Sequence, residues 1–128
     1  MKILLDTHTF LWWITDVPQI PATARELISD GYNELYWSAA SSWEVSVKYA
    51  LRRLPLPDAP ERFLPFELAQ NRIESLPVID AHAFQAGQLP RHHRDPFDRM
   101  LIAQAQVESL VLLSNDPQLS LYDVRVQW

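Results

Sequence analysis

Four carboxylates stand where short apolar runs end or helices begin: Asp6, Glu44, Asp98 and Asp116. Folded to one edge of a sheet, they would repel and raise one another's pKa unless a cation offset them. Hard oxygen donors without His or Cys partners select Mg²⁺ or Mn²⁺. Such ions act on phosphodiesters by activating water and stabilising the leaving oxygen. The convergence of the four carries this reading, because each has an ordinary structural role available.

Asp6 could serve only as a helix cap. Glu44 could be a solvated i,i+4 partner of Lys48, and Asp116, before Pro117, is common turn chemistry. Asp98 has less freedom. Pro96 suits the first position of a helix and puts Asp95 at its N-cap. Asp98, Ile102 and Ala105 then share one face, widened by Leu101, so Asp98 heads the stripe that faces the core. The capping role accounts for Asp95, which is otherwise an outer ligand. Arg91, Arg94 and Arg99 flank the acids and could hold phosphates, or form a solvated charged loop. His92 and His93, among these arginines, could serve as a general base or zinc ligands but are expected to be solvated. Trp12, Trp13 and Trp43 read as core or contact surface, with Trp13 the one facing outward.

The elements that position the acids follow from patterning. Lys2–Leu5 and Leu110–Leu113 read as buried parallel strands, and Leu35–Ser38 as an aromatic-rich one. Ile73–Leu76 is a candidate short strand and Val124–Trp128 a candidate final edge strand. Helices are expected after Asp6 through Ile14, over Ala22–Ser29, over Ala40–Arg53 with Trp43, Val47, Ala50 and Leu54 buried, and over Glu61–Asn71, where Pro65 would shift or kink the helix. A further helix spans Asp80–Leu89 with Ala81, Phe84 and Leu89 inward, and the last runs from Pro96 to near Ser109. Helices alternating with short apolar strands imply a three-layer α/β/α domain with a mainly parallel sheet, formed as one unit over residues 1–128. In such sheets ligands bind beyond the carboxyl ends of the strands, where all four acids fall.

Composition excludes other chemistries. The 128 residues, 48% hydrophobic and 21% charged, suit a soluble globular chain. With no cysteine there is no disulfide, thiolate zinc site or cysteine nucleophile, which fits a reducing cytoplasm. Two glycines are too few for a phosphate-cradling loop or a dinucleotide fingerprint. No apolar run approaches a membrane span of ~20 residues, and the N-terminus does not read as a signal peptide. A net charge of −5 argues against a general nucleic-acid coat but allows a local site, since metal-binding carboxylates inflate the negative count.

Asp6-Thr-His8 through Leu11-Trp12, Glu44 after a serine-rich helix start, Asp98-Arg-Met-Leu-Ile-Ala-Gln-Ala105 and Leu113-Ser-Asn-Asp116 together resemble the PIN-domain nucleases. Within that family they are most similar to the VapC-like toxins of bacterial type II toxin–antitoxin pairs. The resemblance runs the whole length, and its most specific part is the DPFDRMLIAQA segment followed by the LLSND turn. It implies a PIN-like fold and a Mg²⁺- or Mn²⁺-dependent endoribonuclease whose acids are Asp6, Glu44, Asp98 and Asp116. The family's hydroxyl near the last acid falls on Ser114. Asp95 and Asp98 both sit near the third acidic position, and the spacing to Leu101-Ile-Ala103 favours Asp98. The resemblance also implies RNA as substrate, a homodimer, and a cognate antitoxin that silences the enzyme. Competing readings are a non-toxin nuclease or non-catalytic binding module on the same fold, and a phosphohydrolase with Asp6 as nucleophile. The last is disfavoured because the usual second acid two residues on is His8 here.

Overall fold

The computed structural model describes residues 1–128. Its five strands are β1 (Lys2–Leu5), β2 (Glu34–Ser38), β3 (Ile73–Leu76), β4 (Val111–Leu113) and β5 (Val126–Gln127), all parallel, in the order β3-β2-β1-β4-β5. The helices are α1 (Thr7–Thr15), α2 (Ala22–Ser29), α3 (Ala39–Ala50), α4 (Pro60–Gln70), α5 (Asp80–Gln88) and α6 (Pro96–Glu108), with a short 3-10 helix over Pro117–Leu121.

The apolar strand runs are buried on both faces, as a parallel sheet covered by helices requires. In β1, Ile3 and Leu5 enter a core formed with Phe10, Ile28, Val45 and Leu64 from α1–α4. Leu4 points the other way, into a core with Leu101, Ile102 and Ala105 of α6 and Leu119 of the 3-10 helix. The result is the expected three-layer arrangement, and α4 runs through Pro65 after taking Pro60 at its first turn. No helix is long and apolar enough to cross a membrane.

Two helices turn a different face inward from the one their apolar pattern indicates. On α3, Trp43 is 65% exposed and Val47 and Ala50 are also exposed, while Ala40, Ser41, Glu44 and Val45 are buried. The polar row goes inward because Thr7 and Lys48 satisfy Glu44, which removes the desolvation penalty that patterning assumes. On α5, Phe84 is 68% exposed and Ala81 is exposed, while His82 is buried. His82 Nδ1 accepts the Ile79 N–H at 3.1 Å and its Nε2 lies 2.9 Å from Glu108, so both polar atoms of this ring are partnered. Trp13 is half-buried, donating from its indole to Asn71 Oδ1 at 2.9 Å, so the outward tryptophan is Trp43.

Candidate active site: an acidic rim at the switch point

β1 and β4 are neighbours whose chain connections leave in opposite directions, toward β2 on one side and β5 on the other. Such a reversal opens a crevice at the strands' carboxyl ends. The Asp6 N–H donates to the Leu113 carbonyl at 3.1 Å, and Thr9 Oγ1 donates to the same oxygen at 3.0 Å, so the two strand ends are tied together.

Asp6 occupies the N-cap position of α1, yet its side chain makes no capping bond. Its Oδ2 instead accepts the Ser114 hydroxyl at 2.6 Å, and Ser114 Oγ accepts the Asp116 N–H at 3.1 Å. Asp6 is only 6% exposed. Burial pushes its carboxyl above the ordinary range, and Glu44 adds repulsion, while the Ser114 hydroxyl and His8 act in the opposite sense.

Glu44 is 3% exposed on the inner face of α3. Its Oε1 accepts the Thr7 hydroxyl at 2.7 Å, and its Oε2 pairs with Lys48 one turn on. Thr7 Oγ1 also lies 2.8 Å from Ser41 Oγ. The i,i+4 pair read from sequence therefore exists, but it sits inside the fold.

Asp98 and Asp116 meet at a third side chain. His93 Nε2 lies 3.1 Å from Asp98 Oδ2 and 2.9 Å from Asp116 Oδ2. One ligand-type atom from each of the three residues falls within 4.8 Å of the others. Burial, then the nearby Asp6 and Asp95 carboxylates, push Asp98 up to about 7, with His93 acting against the rise. Asp116 also caps the 3-10 helix, its Oδ1 accepting the Gln118 N–H at 2.9 Å.

The four acids therefore come from four elements to one rim, as two linked groups: Asp6 with Ser114 and the buried Glu44, and Asp98 with His93 and Asp116. Asp95 serves as the cap, its Oδ1 accepting the Phe97 N–H at 2.8 Å and the Asp98 N–H at 3.4 Å. Arg99 donates to the carbonyls of Ala86, Leu89, Pro90 and His93, fastening the loop ahead of α6. Arg91 and Arg94 are exposed and line an open cavity with His93 and Arg99.

The expectation of a solvated His93 does not hold, since its side chain is only 10% exposed and lies between two acids. Local sequence gave no means of separating it from His92, whose ring packs edge-on against Tyr122 at 5.2 Å. Its position two residues before the N-cap of α6 is the one available signal. Thr7 and Ser41 were also unread; the signal was a threonine directly after the first acid and a serine one turn ahead of the second.

Four carboxylates, two of them buried, gathered at the switch point of a five-stranded parallel sheet define an α/β domain with an acidic rim. A family model described as the PIN domain matches residues 3–125. The chain belongs to the PIN domain family. Ribonuclease VapC16 of Mycobacterium tuberculosis is 32% identical over 69 residues, a match taking in 51% of this chain and 49%, about half, of that relative. Among solved structures, VapBC2 from Rickettsia felis bound to a DNA fragment from their promoter aligns over 99% of this chain and 98% of that one, with TM-score 0.74 and 17% identity. FitAcB from Neisseria gonorrhoeae aligns over 97% of this chain and 95% of its own, with TM-score 0.62 and 23% identity. These likenesses are of fold.

Proposed function

We propose that this chain is a divalent-metal-dependent endoribonuclease, the toxin of a type II toxin–antitoxin pair. The observation that carries the reading is the meeting of Asp6, Glu44, Asp98 and Asp116 at one rim, with two of the carboxyls raised by burial and mutual repulsion. The donor set fits a hard cation: carboxylate oxygens, no thiolate, and excess negative charge that a divalent ion would offset. When bound, Mg²⁺ or Mn²⁺ supplies an activated water and charge neutralisation at the leaving oxygen.

Asp6 and Asp98 would hold the ion, with Asp116 closing the set. Ser114 holds Asp6 Oδ2 in place through its hydroxyl. Glu44, fixed by Thr7 and Lys48, would ligate or orient the attacking water. Arg91 and Arg94 stand exposed near the rim, where they would steady the phosphate backbone, whereas Arg99 is engaged with the loop. Similarity to a protein named a ribonuclease supports RNA as substrate. Likeness to structures described as VapBC supports an antitoxin as partner. Action as a homodimer in the cytoplasm completes the reading.

The test is cleavage of structured RNA with Mg²⁺ or Mn²⁺ by the wild type, Asp6→Asn and Asp98→Asn. Each substitution is expected to lower the rate by at least about 100-fold, more than loss of an outer-shell partner does. Equal cutting by all three, or cutting unaffected by a chelator, would sink the assignment.

A further inference from the structure

We propose that His93 is a positioning residue that clamps Asp116 in place beside Asp98 by donating from Nε2 to Asp116, and that it does so without ligating the metal. The ring's other nitrogen decides the matter. His93 Nδ1 lies 3.2 Å from the backbone nitrogen of Asp95 and accepts its N–H. A nitrogen accepting a hydrogen bond carries no proton, so the neutral ring has its one proton on Nε2. Nε2 lies 2.9 Å from Asp116 Oδ2, to which it donates, and Asp98 Oδ2 stands 3.1 Å from the same nitrogen.

Three nearby ligand-type atoms would also suit a metal held by the imidazole and two acids. Ligation through Nε2 needs the lone pair there, which moves the proton of the neutral ring to Nδ1. Nδ1–H would then face the Asp95 N–H, two donors head to head. The Asp95 N–H cannot turn away, because Asp95 is fixed as the cap of α6. His93 is fixed as well: its own N–H donates to the Tyr122 hydroxyl at 2.7 Å, and that hydroxyl donates to the Pro90 carbonyl at 2.8 Å. The geometry therefore favours donation over ligation.

This arrangement gives Asp116 a specific task. Its Oδ1 accepts the Gln118 N–H and its Oδ2 the His93 N–H, each oxygen keeping a second lone pair for an ion, so the imidazole fixes Asp116 where it faces Asp98. The outcome is an Asp116–imidazole pair set against Asp98, where the turn after β4 meets the first turn of α6. The consequence for metal affinity rests on the metal-dependent reading above, whereas the clamp itself does not.

Two measurements on the full chain test it. The first is two-bond ¹H–¹⁵N correlation of ¹⁵N-histidine protein, with His93 assigned by the signals lost in His93→Gln. The metal-free wild type should show the Nε2–H tautomer at His93 and keep it at saturating Mg²⁺. Transfer of the proton to Nδ1 on adding Mg²⁺ would make His93 a ligand and overturn the proposal, as would tautomer averaging in the metal-free protein. The second is calorimetric titration of Mg²⁺ and Mn²⁺ into wild type, His93→Gln and His93→Leu, with thermal melts confirming that each variant is folded. His93→Leu should weaken both ions by about 10–100-fold, and His93→Gln, which keeps an N–H donor, should stay within about threefold of wild type. A selective loss of Mn²⁺ over Mg²⁺ in His93→Leu, the mark of a lost nitrogen ligand, would contradict the clamp, as would wild-type affinity in both variants. If the wild type binds neither ion, the metal-dependent reading fails, and the metal-free tautomer still decides the clamp.

Discussion

Ser114 is the smallest side chain at the rim, and its removal should be felt well beyond its size. Its hydroxyl is the side-chain donor to a carboxylate that is almost fully buried. Ser114→Ala leaves that charge less compensated, and urea denaturation should show a loss of about 1–3 kcal/mol. A change within error would mean that Asp6 is not held by this bond. At Asp98 the expected signature is in pH. With its carboxyl raised from the ordinary 3.8 to about 7, the folded state keeps a proton that the unfolded chain has already released. Stability from this group is therefore complete at acid pH and declines as pH rises from about 4 to about 7. Metal-free Asp98→Asn should show a shallower decline of melting temperature over that window than wild type. Parallel curves for the two proteins would contradict the shift.

Among the elements, those whose local sequence settles their environment were the legible ones. The β1 and β4 runs are apolar on both faces, and Asp95-Pro96 marks the start of α6 without any tertiary information. The α3 face was not legible, because two candidate stripes compete and only a partner from another element decides between them. Trp43 and Val47 form the more apolar stripe, yet the buried one carries Glu44, satisfied by Thr7 from α1. His93 was hidden for the same reason: its surroundings are built by residues 95, 98, 116 and 122, brought together only by the fold. The loop that carries it depends on Arg99, which donates to four backbone carbonyls. Arg99→Met should loosen this loop at a cost on the order of 1–3 kcal/mol. Amide exchange at His93 and Asp95 should quicken while the β1 amides stay protected, and unchanged exchange at both loop positions would show that Arg99 does not fasten it.

Taken as a whole, the molecule carries a net charge of −5 and concentrates repulsion at one rim. A cation bound there favours the folded state by mass action, about 2.7 kcal/mol when its concentration is 100 times the dissociation constant. Mg²⁺ or Mn²⁺ should therefore raise the melting temperature, and more at about pH 8 than at about pH 5.5, where carboxyls raised in pKa hold protons instead. An equal rise for wild type and an Asp6→Asn, Asp98→Asn double variant would place the ion elsewhere.

The strand order also sets when the rim can exist. β1 is made well before its partner β4, and the Ser114 hydroxyl that reaches Asp6 lies 108 residues further along. A nascent polypeptide emerging from the ribosome has β1 paired on one edge at most until that late segment is clear of the exit tunnel. Closing so long a loop is among the slower steps of folding. Under the proposed function, the unfinished product is harmless to the RNA of the machine that is making it.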